Sequence, residues 1–299
     1  MHQVRAVAIS SLIWVLSLSL GFDPSPSHAQ SITTSDLSAN FFNLGDALSF
    51  GSAHRALANN AQAVLYNPAG ITQLQGQMLA RFDYASIGMS DSNAFAISMV
   101  DFQTSKSVAY GVAYYRDNPN IGGNQASVNQ VLLSGGKKMG SFLIGASAKG
   151  YWVNIDNPLL EGPKGIDMDL GLLFQPMPIL SVAFTAYNLI QGQSIEEFPF
   201  MLAGGIAFKL ADEFTITADL TKDFKTPNTS SINSYFGAEF LASPKIALRA
   251  GYAIDKVRNN DFYSLGLQAG SSNAKILFTF SQRLSPKSEV YAASVEFYF

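Results

Sequence analysis

The chain closes on Tyr291-Ala-Ala-Ser-Val-Glu-Phe-Tyr-Phe299, YAASVEFYF. Successive side chains of a strand point to opposite faces. Tyr291, Ala293, Val295, Phe297 and Phe299 therefore share one face, and Val290, Ala292, Ser294, Glu296 and Tyr298 the other. The first face is apolar or aromatic throughout, whereas the second is mixed and carries a charge. Chain ends usually fray into water, where large apolar side chains gain little. A greasy face on the last strand calls for a neighbour other than water.

Composition points the same way. Of 299 residues, 47% are hydrophobic and 14% charged, against about a quarter charged in ordinary soluble domains. Much of the surface is then expected to face something apolar. A net charge of −3 argues against nucleic acid as a partner. No break in composition divides the chain after its first thirty residues, so one large domain is expected.

Other stretches repeat the alternation. In FTITADLTKD, Phe214, Ile216, Ala218 and Leu220 oppose Thr215, Thr217, Asp219 and Thr221. In KIALRAGYAID, Ile246, Leu248, Ala250, Tyr252 and Ile254 oppose Ala247, Arg249, Gly251, Ala253 and Asp255. INSYFGAEF sets Ile232, Phe236, Ala238 and Phe240 against Asn233, Tyr235, Gly237 and Glu239; GIDMDLGLLF sets Ile166, Met168, Leu170, Leu172 and Phe174 against Asp167, Asp169 and Gly171. Runs of about ten residues suit a tilted strand crossing a bilayer. A soluble sandwich would bury the apolar face and wet the polar one; a membrane barrel turns the apolar face to lipid and the polar one to its lumen. The polar faces are rich in Gly, Ala, Ser and Thr with isolated charges, as a confined lumen requires, where a wet face would carry more Lys and Glu. The sequence thus predicts an all-β fold: a transmembrane antiparallel β-barrel of about 14 strands.

Three segments share one hairpin pattern: 169–189, 202–221 and 236–254, each a strand, a tight polar or Pro-containing turn and an alternating return strand. Candidate strands lie near 77–88, 92–100, 106–116, 125–137, 141–154, 165–175, 179–188, 199–209, 213–222, 231–241, 245–254, 261–270, 273–283 and 289–299. An even number suits a bacterial outer-membrane barrel. The last strand must close on the first with its outward face in lipid, which answers the question its aromatics raise. It also resembles the C-terminal signal that outer-membrane proteins present to the barrel assembly machinery, matched at Tyr291, Val295, Phe297 and Phe299.

The N-terminus supplies the export route. MHQVR is short and basic, AVAISSLIWVLSLSLGF is apolar and uncharged, and Ser27 and Ala29 stand before Gln30 as small residues for cleavage. We read residues 1–29 as a signal peptide, 30–76 as an N-terminal segment with a plug, and 77–299 as the barrel. The expected location is the bacterial outer membrane, with its lipid as the first partner. Absence of cysteine removes both disulfides and a lipid-bearing N-terminal cysteine.

Residues 47–76 break the pattern. RALANNAQAVLY (55–66) suits a short helix, ended by Pro68 and Gly70. Asn67 precedes proline, a position that avoids helical torsions. Such a segment has no place facing lipid and belongs inside the barrel or across one mouth. LANNAQAVLYNPAGI, with its Asn67-Pro68-Ala69-Gly70 turn, resembles the N-terminal signature of the FadL superfamily of outer-membrane barrels. The compact length and the hairpins at 169–189 and 236–254 resemble the PorV/PorQ branch within it. The resemblance implies a fourteen-stranded barrel with an N-terminal plug. For the FadL type it implies passive passage of long-chain fatty acids or other small hydrophobic molecules. For the PorV/PorQ type it implies a membrane-anchored partner of secretion-system or exported proteins.

Catalysis has little to stand on. His2 and His28 fall in the signal peptide, leaving His54 beside Arg55 with no carboxylate nearby in sequence to orient it. No spacing suggests a metal site, and no cofactor is expected. Asp167 and Asp169, at i and i+2, share one lumen wall and are expected to pair with inward Lys149, Lys209 or Arg249 rather than hold calcium. Asp219, Glu239, Arg249, Lys275 and Glu296 are expected in one lumenal network. The pairs Gly122-Gly123, Gly135-Gly136 and Gly204-Gly205 suggest turns or kinks. Three functions remain: passage of hydrophobic molecules gated at Asn67–Gly70, a secretion partner, or a plain pore. The PorV/PorQ resemblance tips the balance toward the second.

Overall fold

The computed structural model describes residues 44–88, 92–105, 107–121, 124–157, 162–190, 198–224, 232–256, 261–284 and 287–299. The proposed signal peptide lies outside these residues, as does Gly122-Gly123.

Alternating strands with one apolar face and no edge to spare close on themselves. The wall is built from β1 (Met78–Ile87), β2 (Ser92–Asp101), β3 (Val108–Asp117), β5 (Asn124–Met139), β6 (Phe142–Ile155), β7 (Lys164–Met177), β8 (Leu180–Tyr187), β9 (Met201–Lys209), β10 (Phe214–Asp223), β11 (Ile232–Ser243), β12 (Ile246–Ile254), β13 (Phe262–Gly270), β14 (Ala274–Leu284) and β15 (Lys287–Tyr298). A two-residue strand, β4 (Asn120–Ile121), pairs only with β5. Fourteen strands therefore form the wall, each antiparallel to the next, and β15 pairs with β1 to shut it. Leu79 faces Tyr298 and Ile87 faces Val290 across that seam, while the Phe299 amide donates to the Met78 carbonyl at 2.9 Å.

Strand parity follows the sequence reading. Phe236, Phe240, Leu248, Phe278, Tyr291 and Phe297 are exposed on the outside, whereas Tyr235, Arg249, Thr279, Ser294 and Glu296 are buried inside. Val295 is half-buried on the outward face. Connections of two residues join β5–β6, β7–β8 and β11–β12 at one end; at the other, residues 188–200 link β8 to β9. We call these the turn end and the loop end.

Two expectations change. The helix expected over 55–66 reduces to one turn, because α1 is Gly45–Ser49 and α2 only Ala63–Tyr66. The Asn67–Gly70 turn opens a 3₁₀ helix, Pro68–Gln73, with proline at its first position and the Asn67 side chain accepting from the Ala69 amide at 3.1 Å. Gly135-Gly136 and Gly204-Gly205 lie inside β5 and β9 in unbroken register, so they are neither turns nor kinks. One glycine of each pair, Gly136 and Gly205, faces the lumen, where an added Cβ would meet Thr72 and Asp219.

Candidate functional site

Residues 44–76 fill the lumen and bury nearly everything they carry. Leu44, Leu48, Val64, Leu65, Tyr66 and Ile71 pack into one cluster with Leu79, Val100, Ala113, Tyr115 and Leu132 of the wall. Apolar burial supplies most of the stabilisation, and close fit between segment and wall comes from glycine.

The fit is close at the Asn67–Gly70 turn. Gly136, Gly145 and Gly171 stand directly opposite one another on β5, β6 and β7. A Cβ on Gly145 would collide with the Pro68 carbonyl, and one on Gly171 with the Asn67 side chain. At Gly136 it would come within 2.6 Å of the Thr72 methyl. The turn thus rests on bare backbone. Behind the same strands, on the outside, an apolar cleft of about 580 Å³ is lined by Ile144, Leu170, Leu172 and Phe184. A single backbone layer separates turn from lipid there. A second seat holds Phe50 and Gly51 against Gly237 and Gly251, paired across β11 and β12. Gly51 takes φ +61°, and an added Cβ would lie 2.5 Å from the Tyr252 amide. Glycine is required there twice over.

Charges fasten the segment between these seats. Asp46 of α1 is ion-paired with Arg81 of β1 at 2.5 Å and with Arg249 of β12. Arg81 also meets Asp83 at 2.8 Å, and Arg249 meets Glu239 at 2.7 Å. Burial works against the Asp46 charge, but Arg81 and Arg249 together outweigh it and hold the carboxyl well below the usual carboxylate range. Gly45, at φ +48°, has no room for a side chain beside Arg81 and Asp83. Further along, Asp219 of β10 accepts the Arg55 guanidinium at 3.1 Å and the backbone amides of His54 and Arg55 at 3.0 Å. Glu296 accepts the Ala61 amide at 3.1 Å. Pairing of this kind is what buried charges require.

The expected lumen charges sort as follows. Asp167 and Asp169 separate in role: Lys149 donates to Asp169 at 2.9 Å and to Asn188, while Asp167 caps the Met168 and Ile190 amides. Glu239, Arg249 and Glu296 converge on the Asp46 cluster, and Asp219 faces the segment. Lys275 lies 4.9 Å from the Tyr298 ring centre. Lys209 is a correction: it ends β9 at the turn end, exposed, and pairs with Asp212 at 2.9 Å. It keeps the inward parity of Ala207 but stands at the rim, where β9 ends and the lumen gives way to the outside.

His54 is not placed as a catalyst. Its ring stacks on Phe50 at 5.7 Å and meets Tyr66 edge-on at 5.8 Å. Burial drives its pKa down to about 4, against Asp46 and with Arg249 and Arg81. It is a neutral packing residue at pH 7.

Sequence reasoning missed Asp46, Arg55, Arg81 and Asp83, along with the glycine seats. A signal existed: charged residues in an otherwise apolar segment need partners on the facing wall, and glycines at inward parity mark close approach.

No family model and no curated protein sequence matches the chain. Solved structures do. The toluene transporter TbuX of Ralstonia pickettii superposes with TM-score 0.65 at 15% identity, covering 84% of this chain and 97% of that one. The P. putida toluene transporter TodX gives 0.64 at 10%, covering 84% and 96%. A Pseudomonas aeruginosa FadL homologue gives 0.58 at 12%, covering 83% and 97%. The fold is that of FadL-type bacterial outer-membrane barrels.

Proposed function

We propose that this chain is a passive outer-membrane channel for small hydrophobic molecules, with the 44–76 segment as its plug and gate and Asn67–Gly70 at the gate's turn. The observation that carries this reading is the filled lumen: the plug's apolar cluster, its ion pairs with the wall and the bare glycines opposite occupy the space that a hydrated pore would leave to water. Ions and sugars need a wet path, whereas an apolar solute needs only apolar surface and local movement of the plug. The likeness of fold to toluene transporters supports the same class of solute. It moves the balance away from the secretion-partner reading that the PorV/PorQ resemblance favours, for which an apolar docking rim would be the supporting feature.

The test is entry of radiolabelled toluene into intact Gram-negative cells carrying the protein, compared with cells lacking it. Faster toluene entry with unchanged glucose leakage is the expected result. Equal gains for both solutes would mean a plain pore. No gain for toluene, fatty acid or other apolar solutes would sink the channel reading.

A further inference from the structure

On β5 the inward residues Val128, Gln130 and Leu132 follow one another toward the turn end, and all three are buried. Leu132 belongs to the apolar cluster that contains the plug residues Val64, Leu65 and Tyr66. Val128 belongs to a separate cluster nearer the loop end, with Tyr151, Val153 and Phe198. Gln130 therefore stands as a polar step between two apolar zones. Tyr115 of β3 and Tyr151 of β6 are its direct partners across the ladder. Its side chain is 0% exposed, and among the described residues neither amide atom has a hydrogen-bond partner.

A buried amide left this way is costly, and a leucine of similar size would avoid the cost. The amide offers both a donor and an acceptor, which a single hydroxyl or protonated carboxyl group can satisfy together. Phe198, packed on Tyr151 at 4.3 Å between ring centres, is buried in the loop-end cluster beside Val128 and Tyr151. We propose that Gln130 is a specificity-determining contact for an aromatic or aliphatic solute bearing one hydroxyl or protonated carboxyl group, reached when Phe198 swings away from Tyr151. This rests on the channel reading above. Passing solutes would be held at Gln130 between the loop-end cluster and the plug, and purely apolar ones would cross the same step without it.

The experiment compares entry of p-cresol and toluene, which differ by one hydroxyl, into intact cells carrying the wild-type protein, Gln130→Leu or Phe198→Ala. In Gln130→Leu, p-cresol entry should fall about fivefold, the worth of roughly one neutral hydrogen bond, while toluene entry holds. Phe198→Ala should speed p-cresol entry. Unchanged p-cresol entry in Gln130→Leu, with toluene still entering, overturns the role of Gln130 and leaves the channel standing. An equal fall for both solutes in Gln130→Leu marks a packing role and also overturns it. Entry of neither solute through the wild-type protein removes the channel reading itself.

Discussion

His54 shows how one side chain takes its properties from the lumen. Enclosed by Phe50 and Tyr66, its imidazole is held neutral, with its pKa pushed to about 4 from an ordinary value near 6.5. In the unfolded chain it protonates near the ordinary value. Between pH 6.5 and 4 the unfolded state therefore binds the extra proton, and stability falls as the pH falls. Above pH 7 and below pH 4 this group contributes no further slope. The loss should reach ~3 kcal/mol. Unfolding midpoints in detergent micelles measured from pH 7.5 to 4 should drop more steeply for the wild-type protein than for His54→Phe. Parallel curves would show that His54 does not carry the effect.

Among the elements, the plug depends on what its neighbours lack. The 3₁₀ helix Pro68–Gln73 rests on Gly136, Gly145 and Gly171, where Cβ atoms would intrude. Gly145→Val should push the turn off its seat, with ~2 kcal/mol lost to overpacking, and should increase leakage of small solutes such as glucose. Gly150, on the same strand, has open space where a Cβ would go, so Gly150→Ala is the control and should change neither quantity. Equal stability and leakage for Gly145→Val and the control would mean that the turn does not need its glycine seat. The ion pairs act alongside: Asp46 ties α1 to β1 and β12, and Asp219 ties residues 54–55 to β10. Removing one partner of such a buried pair costs more than the pair contributes, because it leaves the other charge bare.

For the whole molecule, closure is the decisive event. The β15–β1 seam joins the two ends of the barrel sequence, a contact that no local segment can make by itself and that removes both sheet edges at once. Tyr291, Phe297 and Phe299 stand on its lipid side, exposed. As an assembly signal they are a proposal. Phe299→Ser keeps the backbone bond to Met78 while removing the outward ring, and should lower the protein recovered in the outer membrane severalfold without altering the fold of what is recovered. Unreduced recovery, measured against the wild-type protein in membrane fractions, would remove Phe299 from that role.

Much of the wall was legible beforehand, since side-chain period two and runs near ten residues are local properties of the chain. All fourteen strands, their inward and outward faces and the closing role of 291–299 follow from them. The pairing of Lys149 with Asp169 and of Arg249 with Glu239 follows from inward parity together with the requirement that buried charges pair. What tertiary structure alone decided is how the N-terminal segment sits. Asp46, Arg55 and the inward glycines are far apart in sequence from the residues they meet, and their partners become neighbours only after the sheet curls and closes. Lys209 went astray because parity says which face a residue takes but not where its strand stops. An alternating pattern specifies a wall; only the closed wall specifies what fits inside it.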